Sequence, residues 1–502
     1  MSICIIDLGG QYAQLIARRI RELNVYSFIA NSKITLEELE SKGVKGVILS
    51  GGPNSVYADN APNINDSVID SDIPIFGICY GSQLLAQHFG GKVENLGKGE
   101  YGRTEVNICA NGDLLNNFNT TNVWMSHGDT IIEPPQGSTV LVNTTNTPVA
   151  GFENAEKGIY GVQFHPEVTH TAEGANILKN FCLEIAKCSQ DWDAKNIIDH
   201  AVEKIQEQTK GEKVICALSG GVDSAVAAAL GYKAIGEDLT CVFVDTGLLR
   251  EGEATRVVDA FTKEFKVDLV HIDAKEKFFT ALAGVIEPEE KRKIIGELFI
   301  RIFEEEAKDY KYLMQGTLYP DVIESGSDTA ATIKTHHNVG LPEDIQFEVI
   351  EPLNMLFKDE VRSIGETLGL AHDMVHRQPF PGPGLAVRII GEVNYENVRM
   401  VREADHIARG ILEQHPINKE IWQAFTVLAD IKSVGVMGDG RTYARPIILR
   451  AVTSEDAMTA DFARIPYDVL EEIMNQIVNN VDGVNRVVYD ITSKPPGTIE
   501  WE

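Results

Sequence analysis

Short runs of β-branched and other apolar residues alternate with helical patterns through roughly the first 385 residues of this 502-residue chain. Such alternation favours parallel sheets covered by helices on both faces. We therefore predict an α/β protein with two consecutive doubly wound, mainly parallel-sheet domains and a small α+β C-terminal module. The predicted strands are Ile3–Ile6, Gly46–Leu49 and Ile73–Ile78 in the first domain, and Val214–Leu218, Cys241–Val244 and Leu269–Ile272 in the second.

Two stretches mark the expected domain boundaries. The polar segment Cys188–Asp193 separates the two series of strands, and Gln378–Gly384 carries three prolines and two glycines. The second stretch cannot continue a helix or a central strand. We predict domains at 1–188, 189–377 and 378–502. The expected elements of the third are a helix at Asn394–Leu412 and strands at Ile447–Ala451 and Arg486–Ile491.

The formal charge of −29 disfavours nucleic acid as the substrate, because phosphate backbones are bound through Lys and Arg. A small phosphorylated ligand in a locally basic pocket stays compatible with it. The seven cysteines form no C-x-x-C pair, so we expect neither a disulfide framework nor a zinc site, and six of them should pack as small apolar residues. No apolar run approaches the ~20 residues of a membrane span, and no secretory signal is recognised. We expect a cytoplasmic protein.

A cysteine lies on a glycine-flanked turn, Gly77-Ile-Cys79-Tyr-Gly81, between a strand and a helical pattern at Ser82–Phe89. A sharp strand-to-helix turn exposes a nucleophile and requires neighbours without a Cβ. The helix N-terminus favours negative charge on the sulfur. A packed cysteine beside an ordinary turn would give the same pattern.

A histidine and a carboxylate follow in Gly161-Val-Gln-Phe-His165-Pro-Glu167. His165 could act as the base for Cys79, and Glu167 could orient its ring, which is the arrangement of nucleophile, base and orienting acid. A core histidine beside an exposed glutamate is the alternative. His127, in Ser126-His127-Gly128-Asp129, is the rival base and is ranked below His165.

These two motifs resemble those of class I (triad) glutamine amidotransferases. The resemblance implies that Cys79 attacks the side-chain amide of glutamine, forms a glutamyl thioester and releases ammonia. It also implies that the amides of Gly52 and Tyr80 form the oxyanion hole. Gln83, one turn into the helix, would help to hold the glutamine.

The strand Val214–Leu218 leads into a second glycine-rich turn, whose residues are Ser219, Gly220, Gly221, Val222, Asp223 and Ser224. Amides at the start of a helix form a nest for phosphate. No lysine follows the glycines, so a Walker A mechanism is not expected. Asp223 suits Mg²⁺, whereas a glycine turn capped by Asp and Ser is the structural alternative.

The turn resembles the PP-loop of N-type ATP pyrophosphatases, which cleave ATP between the α- and β-phosphates and adenylylate a substrate. Val244 and Asp245 end the next predicted strand and are expected near the adenosine. An ammonia-releasing domain and an adenylylating domain in one chain imply that a carbonyl oxygen is activated with AMP and then displaced by ammonia. Mg²⁺ is expected with ATP, and no organic cofactor is expected.

Several further stretches resemble the GMP synthetase family, essentially from end to end. The resemblance implies xanthosine 5′-monophosphate (XMP) as the acceptor and a homodimer formed through the C-terminal domain. The stretches are Pro288–Gly296, Tyr319–Ser325, Ile333–Asn338, Arg377–Gly384 and Lys494–Glu502.

Particular residues in these stretches suit the ligands. Cations are required for the XMP or ATP phosphates in an acidic protein, and acids could contact the purine or the ammonia. Ile499 and Trp501 are expected to anchor the tail, and Glu500 to pair with the ribose or the base. The expected cations are Arg292, Lys334 and Lys494, and the expected acids are Asp321 and Glu324.

The polar segment Ser325–Leu341, which contains His336 and His337, is predicted to be a lid. Family members often carry two glycines after Asn338-Val339, where this chain has only Gly340 before Leu341. The hinge geometry of the lid is therefore left open, whereas the expected reaction is unaffected. Two rival functions stay open. Another PP-loop enzyme, tRNA-thiolating or NAD-forming, would not explain the Lys494–Glu500 tail. A degenerate, non-catalytic amidotransferase would be expected to lack at least one of four site residues, and all four are present: Cys79, His165, Glu167 and Asp223.

Overall fold

The computed structural model describes residues 2–53, 55–120, 122–265, 267–325, 347–437, 440–454 and 459–502. Its internal contacts divide the chain into two compact units, Met1–Asn196 and Ile197–Glu502. The predicted boundary at 378 falls inside the second unit, whose hydrophobic core takes residues from both sides of it. The predicted three-domain limits therefore stay a prediction.

The first unit is built on one large sheet and two small ones. Its strands are β1 (Ser2–Asp7), β2 (Tyr26–Asn31), β3 (Val44–Leu49), β4 (Ile75–Ile78), β5 (Lys92–Glu94), β6 (Glu100–Glu105), β7 (Asn107–Ile108), β8 (Asn122–His127), β9 (Thr130–Glu133), β10 (Thr139–Asn143), β11 (Gly151–Asn154) and β12 (Ile159–Val162). The large sheet has the order β2-β1-β3-β4-β12-β11-β10-β7, and β5-β9 and β6-β8 form separate pairs. Its strands from β2 to β12 are parallel, and the last three are antiparallel.

Helices cover this sheet because their apolar residues recur on one face. In the first helix Ile16, Ala17 and Ile20 are fully buried, a spacing of three to four residues. The second begins with a capping box between Thr35 and Glu38. The helices are α1 (Ala13–Arg21), α2 (Leu36–Ser41), α3 (Asp66–Ile69), α4 (Tyr80–His88) and α5 (Gly174–Lys179).

The second unit contains a parallel five-stranded sheet. Its strands are β13 (Val214–Leu218), β14 (Leu239–Asp245), β15 (Asp268–Asp273), β16 (Tyr312–Met314) and β17 (Glu348–Ile350), in the order β15-β14-β13-β16-β17. The order reverses direction between β13 and β16. In open α/β sheets, ligands bind outside the carboxyl ends of the strands at such a switch point. The glycine-rich turn after β13 stands at this point.

A second, mainly antiparallel sheet follows in the same unit, with β20 at its centre. Its strands are β18 (Gln423–Leu428), β19 (Ser433–Met437), β20 (Gly440–Thr453), β21 (Asp461–Phe462) and β22 (Val484–Asp490). β18, β19 and β21 pair with β20 antiparallel, and β22 pairs with it parallel. The main α-helices of the unit are α6 (Ala194–Thr209), α7 (Val222–Ile235), α8 (Glu253–Asp259), α9 (Lys275–Leu282), α10 (Pro288–Ala307), α11 (Tyr319–Ser325), α12 (Lys358–Thr367), α13 (His372–Val375), α14 (Tyr395–Gln414) and α15 (Tyr467–Asn480).

The predicted fold class is confirmed, and each predicted strand lies on an observed one. The predicted fate of the cysteines is wrong at one position, because Cys109 is exposed while the other five outside the turn are buried. Cys109 lies just beyond the exposed two-residue strand β7, which is the edge strand of the sheet. Within the described ranges, no helix combines the length and the apolar character needed to cross a membrane.

Candidate active sites

Cys79 occupies a sharp turn between β4 and α4. Its backbone has φ 52° and ψ −106°, a conformation that a residue with a side chain adopts only under constraint. The turn is so tight that a Cβ on Gly77 would lie 2.5 Å from the main chain of Gly81. A Cβ on Gly81 would lie 2.6 Å from Leu49, so neither position has room for a side chain. The turn has the geometry of a nucleophile elbow.

The strand pairing brings His165 to the same edge of the sheet as Cys79. β4 and β12 are parallel neighbours with Ile78 opposite Val162, so the residues after each strand emerge together. The Nδ1 atom of His165 lies 2.6 Å from Oε1 of Glu167, and both side chains are buried. The Cys79 sulfur lies 3.6 Å from the carbonyl oxygen of Ser126. His165 also hydrogen-bonds to Cys79, so the predicted nucleophile, base and acid are adjacent.

Charge sets the protonation state of His165. Burial alone lowers its pKa, but the carboxylate of Glu167 and hydrogen bonds to Cys79 and Glu167 outweigh burial and raise the pKa to about 11. The imidazolium form is therefore favoured at neutral pH. The rival His127 is different: burial lowers its pKa, and its Nδ1 lies 2.8 Å from the carbonyl oxygen of Asp129.

The loop Ser50-Gly51-Gly52 lies against the elbow. A Cβ on Gly51 would lie 3.4 Å from Cε1 of His165, and one on Gly52 would lie 3.0 Å from the ring of Tyr80. The two residues predicted to supply oxyanion amides are therefore neighbours. The buried Gln83 donates from Nε2 to the carbonyl of Asp129 at 2.8 Å, so its amide group is held by the protein itself.

Gln163 is a neighbour of Cys79 that the sequence reasoning missed. Its Nε2 atom lies 3.8 Å from the Cys79 sulfur, and its Oε1 atom accepts from Gln83 at 3.3 Å. It stands two residues before His165, within the segment Gly161–Glu167. The alternation of side chains along a strand could have indicated that it shares a face with His165.

The PP-loop connects β13 to α7. Gly220 has φ +77°, and α7 begins at Val222. The hydroxyls of Ser219 and Ser224 lie 3.1 Å apart, and Ser224 also donates to the carbonyl of Gly221 at 3.0 Å. Serine hydroxyls thus fix the loop from inside, which leaves the helix N-terminus to face a phosphate.

Two cations from distant parts of the chain reach this loop, although no cation directly follows its glycines in the sequence. The ammonium of Lys358 lies 2.7 Å and 2.5 Å from the two carboxylate oxygens of Asp223. Arg377 donates to the carbonyl of Gly220 and pairs with Glu253. No spacing rule indicated Lys358, because it stands at the start of α12, far along the chain.

The residues predicted near the adenosine are buried at the carboxyl end of β14. Val244 is 3% and Asp245 is 5% exposed. One oxygen of Asp245 accepts the amide of Gly247 at 2.9 Å, and the other lies 3.0 Å from Nζ of Lys275. Asp245 therefore fixes the turn after β14 as well as facing the sheet edge where ligands bind.

The C-terminal tail packs on the second sheet. Ile499 is buried in an apolar cluster with Phe425 and Val427, which confirms it as an anchor. Trp501 is not an anchor as predicted: it is 43% exposed, and its Nε1 donates to Asp490 at 2.9 Å. The tail turns after Ile499, so the indole faces outward and bonds through its one polar atom.

The charged residues of the tail have protein partners. Glu500 accepts from the fully buried Arg388 at 3.0 Å and from Gln423 at 3.0 Å. Arg292 donates to the main-chain oxygen of Glu502. The backbone of Lys494 pairs with Ala460 in an isolated bridge. Glu500 and Arg292 thus stabilise the tail as well as being candidates for the nucleotide.

Asp321 accepts the amide of Leu318 at 3.0 Å and caps the start of α11. The side chain of Glu324 and the residues Lys334, His336, His337 and Gly340 lie outside the described residues. The predicted lid at Ser325–Leu341 lies there too, apart from the backbone of its first residue, so these expectations stay predictions.

Three family descriptions match parts of the chain. Residues 4–185 match "Glutamine amidotransferase class-I", residues 194–302 match "NAD synthase", and residues 411–501 match "GMP synthase C terminal domain". Curated relatives match the whole chain. "GMP synthase [glutamine-hydrolyzing]" of Syntrophomonas wolfei is 54% identical, and that of Carboxydothermus hydrogenoformans is 55% identical, each over 100% of this chain and 99% of the relative. That of Bacillus subtilis is 54% identical over 100% of this chain and 98% of the relative.

The elbow, the histidine–carboxylate pair and the PP-loop define a class I glutamine amidotransferase unit followed by a PP-loop ATP-using unit. The match to the NAD synthase description stops at residue 302, whereas the full-length relatives and the C-terminal match agree on one family. The chain belongs to the glutamine-hydrolysing GMP synthase family, and it is a ligase.

Proposed function

We propose that glutamine is hydrolysed at Cys79 through a glutamyl thioester. The Cys79 thiolate attacks the amide carbon, and the imidazolium of His165 gives its proton to the leaving nitrogen, which departs as ammonia. The neutral ring then takes a proton from water, which attacks the thioester and releases glutamate and the thiolate. The 2.6 Å contact between His165 and Glu167 supports this proposal, because it keeps the proton-donating form available.

The oxyanion of each tetrahedral intermediate requires donors that are fixed before the reaction. The main-chain amides of Gly52 and Tyr80 are the proposed donors. Their support is the close approach of the Gly52 position to the Tyr80 ring, which holds the loop on the elbow. Gln83 and Gln163 are proposed to line the same pocket and to orient the substrate through each other.

The PP-loop unit is proposed to adenylylate XMP. The purine 2-oxygen attacks the α-phosphorus of ATP, and pyrophosphate leaves. Ammonia then attacks C2, AMP leaves with the oxygen, and a proton is released to give GMP. The loop amides at the start of α7 bind and orient the phosphates, and Lys358 and Arg377 neutralise charge close to them.

Mg²⁺ is proposed to enter with ATP. The carboxylate of Asp223 supplies the hard oxygen ligands that this ion prefers, and it is the acid within the loop itself. When bound, the ion would neutralise phosphate charge. Lys358 holds the same oxygens, so its ammonium would have to release at least one of them for an ion to bind Asp223.

A homodimer is proposed through the second sheet of the second unit. Val434 and Tyr443 are direct cross-strand neighbours on β19 and β20, and they are 53% and 62% exposed. Val436, on the same face of β19, is 74% exposed. Such an exposed apolar group favours burial against a second copy. Analytical ultracentrifugation tests the proposal: we expect a dimer for the full chain and a monomer for Val436→Glu. A monomeric wild type would contradict the dimer, and a dimeric Val436→Glu would contradict this interface.

One observation carries the whole proposal, namely that both complete sites occur in one chain of this family. A steady-state assay of glutamate, AMP and pyrophosphate, with and without XMP, tests it. We expect AMP, pyrophosphate and GMP in equal amounts only with XMP present. AMP formation that requires nicotinic acid adenine dinucleotide instead would favour the NAD-forming alternative. Glutamate release with no adenylylation of any acceptor would support only the amidotransferase part of the proposed function.

A further inference from the structure

Two histidines and a glutamate to which no role is assigned above converge at the surface of the second unit. Glu366 lies near the end of α12, and His372 and His376 lie at the two ends of the short helix α13. One ligand atom from each residue lies within 4.8 Å of the others. Oε1 of Glu366 is 3.3 Å from Nδ1 of His372 and 2.7 Å from Nε2 of His376.

The backbone beneath the cluster is rigidly packed, although the three side chains are exposed. The turn between α12 and α13 is anchored by the buried residues Leu370 and Val375. A Cβ on Gly365 would lie 3.0 Å from Val226 and 3.2 Å from Val375, so α12, α7 and α13 are in close contact there. The three ligands therefore project from a fixed frame, which reduces the entropy lost when they are brought together.

The donor set selects the kind of ion. Two imidazole nitrogens and one carboxylate oxygen suit Zn²⁺ and similar transition ions, whereas Mg²⁺ and Ca²⁺ prefer oxygen alone. In a tetrahedral site with bonds of ~2.0–2.1 Å, ligand atoms stand roughly 3.3 Å apart. The Glu366–His372 separation already has this value, and the Glu366–His376 separation of 2.7 Å must lengthen slightly.

We propose that Glu366, His372 and His376 form a binding site for a divalent transition-metal ion of the Zn²⁺ class, with water completing the coordination. A bound ion would replace the hydrogen bonds of Glu366 to the two histidines and would link the end of α12 to α13. The next residue after His376 is Arg377, which holds the carbonyl of Gly220 in the PP-loop. The site is therefore placed to restrain the segment that supports that loop.

Equilibrium dialysis of the full chain against Zn²⁺, followed by metal analysis, tests the site. We expect the wild type to hold one more Zn²⁺ per chain than His372→Ala or His376→Ala, and Glu366→Gln to bind at least ~10-fold more weakly. Excess Mg²⁺ should not displace the zinc. His88→Ala is the matched control, because His88 pairs with Asp70 at 2.9 Å but has no second histidine in that pair. It should keep the wild-type stoichiometry.

A second readout separates binding from a folding defect. The three side chains are exposed, so the variants should unfold at the wild-type temperature without metal. Added Zn²⁺ should raise the unfolding temperature of the wild type and of His88→Ala, and not that of His372→Ala. Equal zinc stoichiometry in the wild type and all three cluster variants would overturn the proposal. So would a wild type that binds no zinc under these conditions.

Discussion

The Nζ atom of Lys358 lies within 2.7 Å of both carboxylate oxygens of Asp223, although 135 residues separate them in sequence. The Lys358 side chain is 43% exposed and that of Asp223 is 28% exposed, so solvent screens the pair and its net contribution to stability is small. The ion pair matters because it places a lysine ammonium beside the PP-loop. The PP-loop has no lysine of its own, and this fold supplies one from the start of α12.

Lys358→Met should therefore impair the ATP half-reaction. Losing one charged hydrogen bond to a phosphate costs ~1.5–3 kcal/mol, which is roughly a 10- to 150-fold loss in kcat/KM for ATP. The measurement is ammonium-driven GMP synthesis. Lys233→Met removes an exposed lysine from the far part of α7 and should leave kcat/KM near the wild-type value. Equal values for Lys358→Met and the wild type would remove Lys358 from the mechanism.

Asp223→Asn should reduce GMP synthesis from both nitrogen sources. The neutral amide binds Mg²⁺ more weakly and no longer holds Lys358, and phosphate transfer depends mainly on such electrostatic positioning. Cys79 should keep its normal rate of alkylation by glutamine analogues, which serves as the control for folding. Normal ammonium-driven turnover would show that Asp223 does not take part.

Cys79→Ala should separate the two activities. Without the thiolate, glutamine-driven synthesis should fall by more than about 10³-fold, because no thioester can form. Synthesis from high ammonium should stay close to the wild-type rate. Cys109→Ala is the matched control, since Cys109 is exposed and lies outside the elbow. Loss of both activities in folded Cys79→Ala would mean that Cys79 is structural.

The pKa of His165 gives a pH prediction with a definite sign. A raised pKa means that the imidazolium persists from acidic pH up to about 11. Its contribution to stability is full below ~6.5, the value of an unfolded histidine, and is lost as the pH rises toward 11. Glu167→Gln removes the carboxylate charge that raises the pKa of His165. Burial, which lowers that pKa, is then the leading effect, so the His165 ring should titrate at a far lower pH than in the wild type. Carbon-13 NMR of the histidine rings measures both pKa values.

The same Glu167→Gln variant should lose ~10²- to 10⁴-fold in glutaminase kcat, because the ring is neither oriented nor kept protonated. Ammonium-driven synthesis is the internal control. A His165 resonance that titrates near pH 6.5 in the wild type would contradict the pairing with Glu167.

Lys494→Ala should raise the KM for XMP by ~10- to 100-fold and change the KM for ATP much less, if its charge binds the nucleotide. Lys308→Ala, an exposed lysine in the same unit, should change neither. An unchanged KM for XMP in well-folded Lys494→Ala would make the tail purely structural. Glu500→Ala is a poorer test of binding, because it leaves the buried Arg388 without its closest carboxylate and should destabilise the tail.

Much of the fold was readable because its signals are local. A buried parallel strand appears as a short apolar run, as in Val214–Leu218, whose bounds the structure reproduces. The elbow was also readable, because its glycines flank Cys79 in the sequence, and Gly77 is required by contact with the main chain of Gly81 only four residues later. The requirement for Gly81 itself comes from Leu49 on the neighbouring strand β3, which the sequence did not show.

By itself the sequence determined the fold class, the Cys79 and PP-loop turns and the family, because each depends on residues close together in the chain. The tertiary structure decided which distant groups share a site. Lys358 meets Asp223, Gln163 meets Cys79, and Arg388 meets Glu500, through strand order and helix packing. Such pairs leave no periodic pattern, since a salt bridge or hydrogen bond fixes only the final separation of two atoms and not their spacing in sequence.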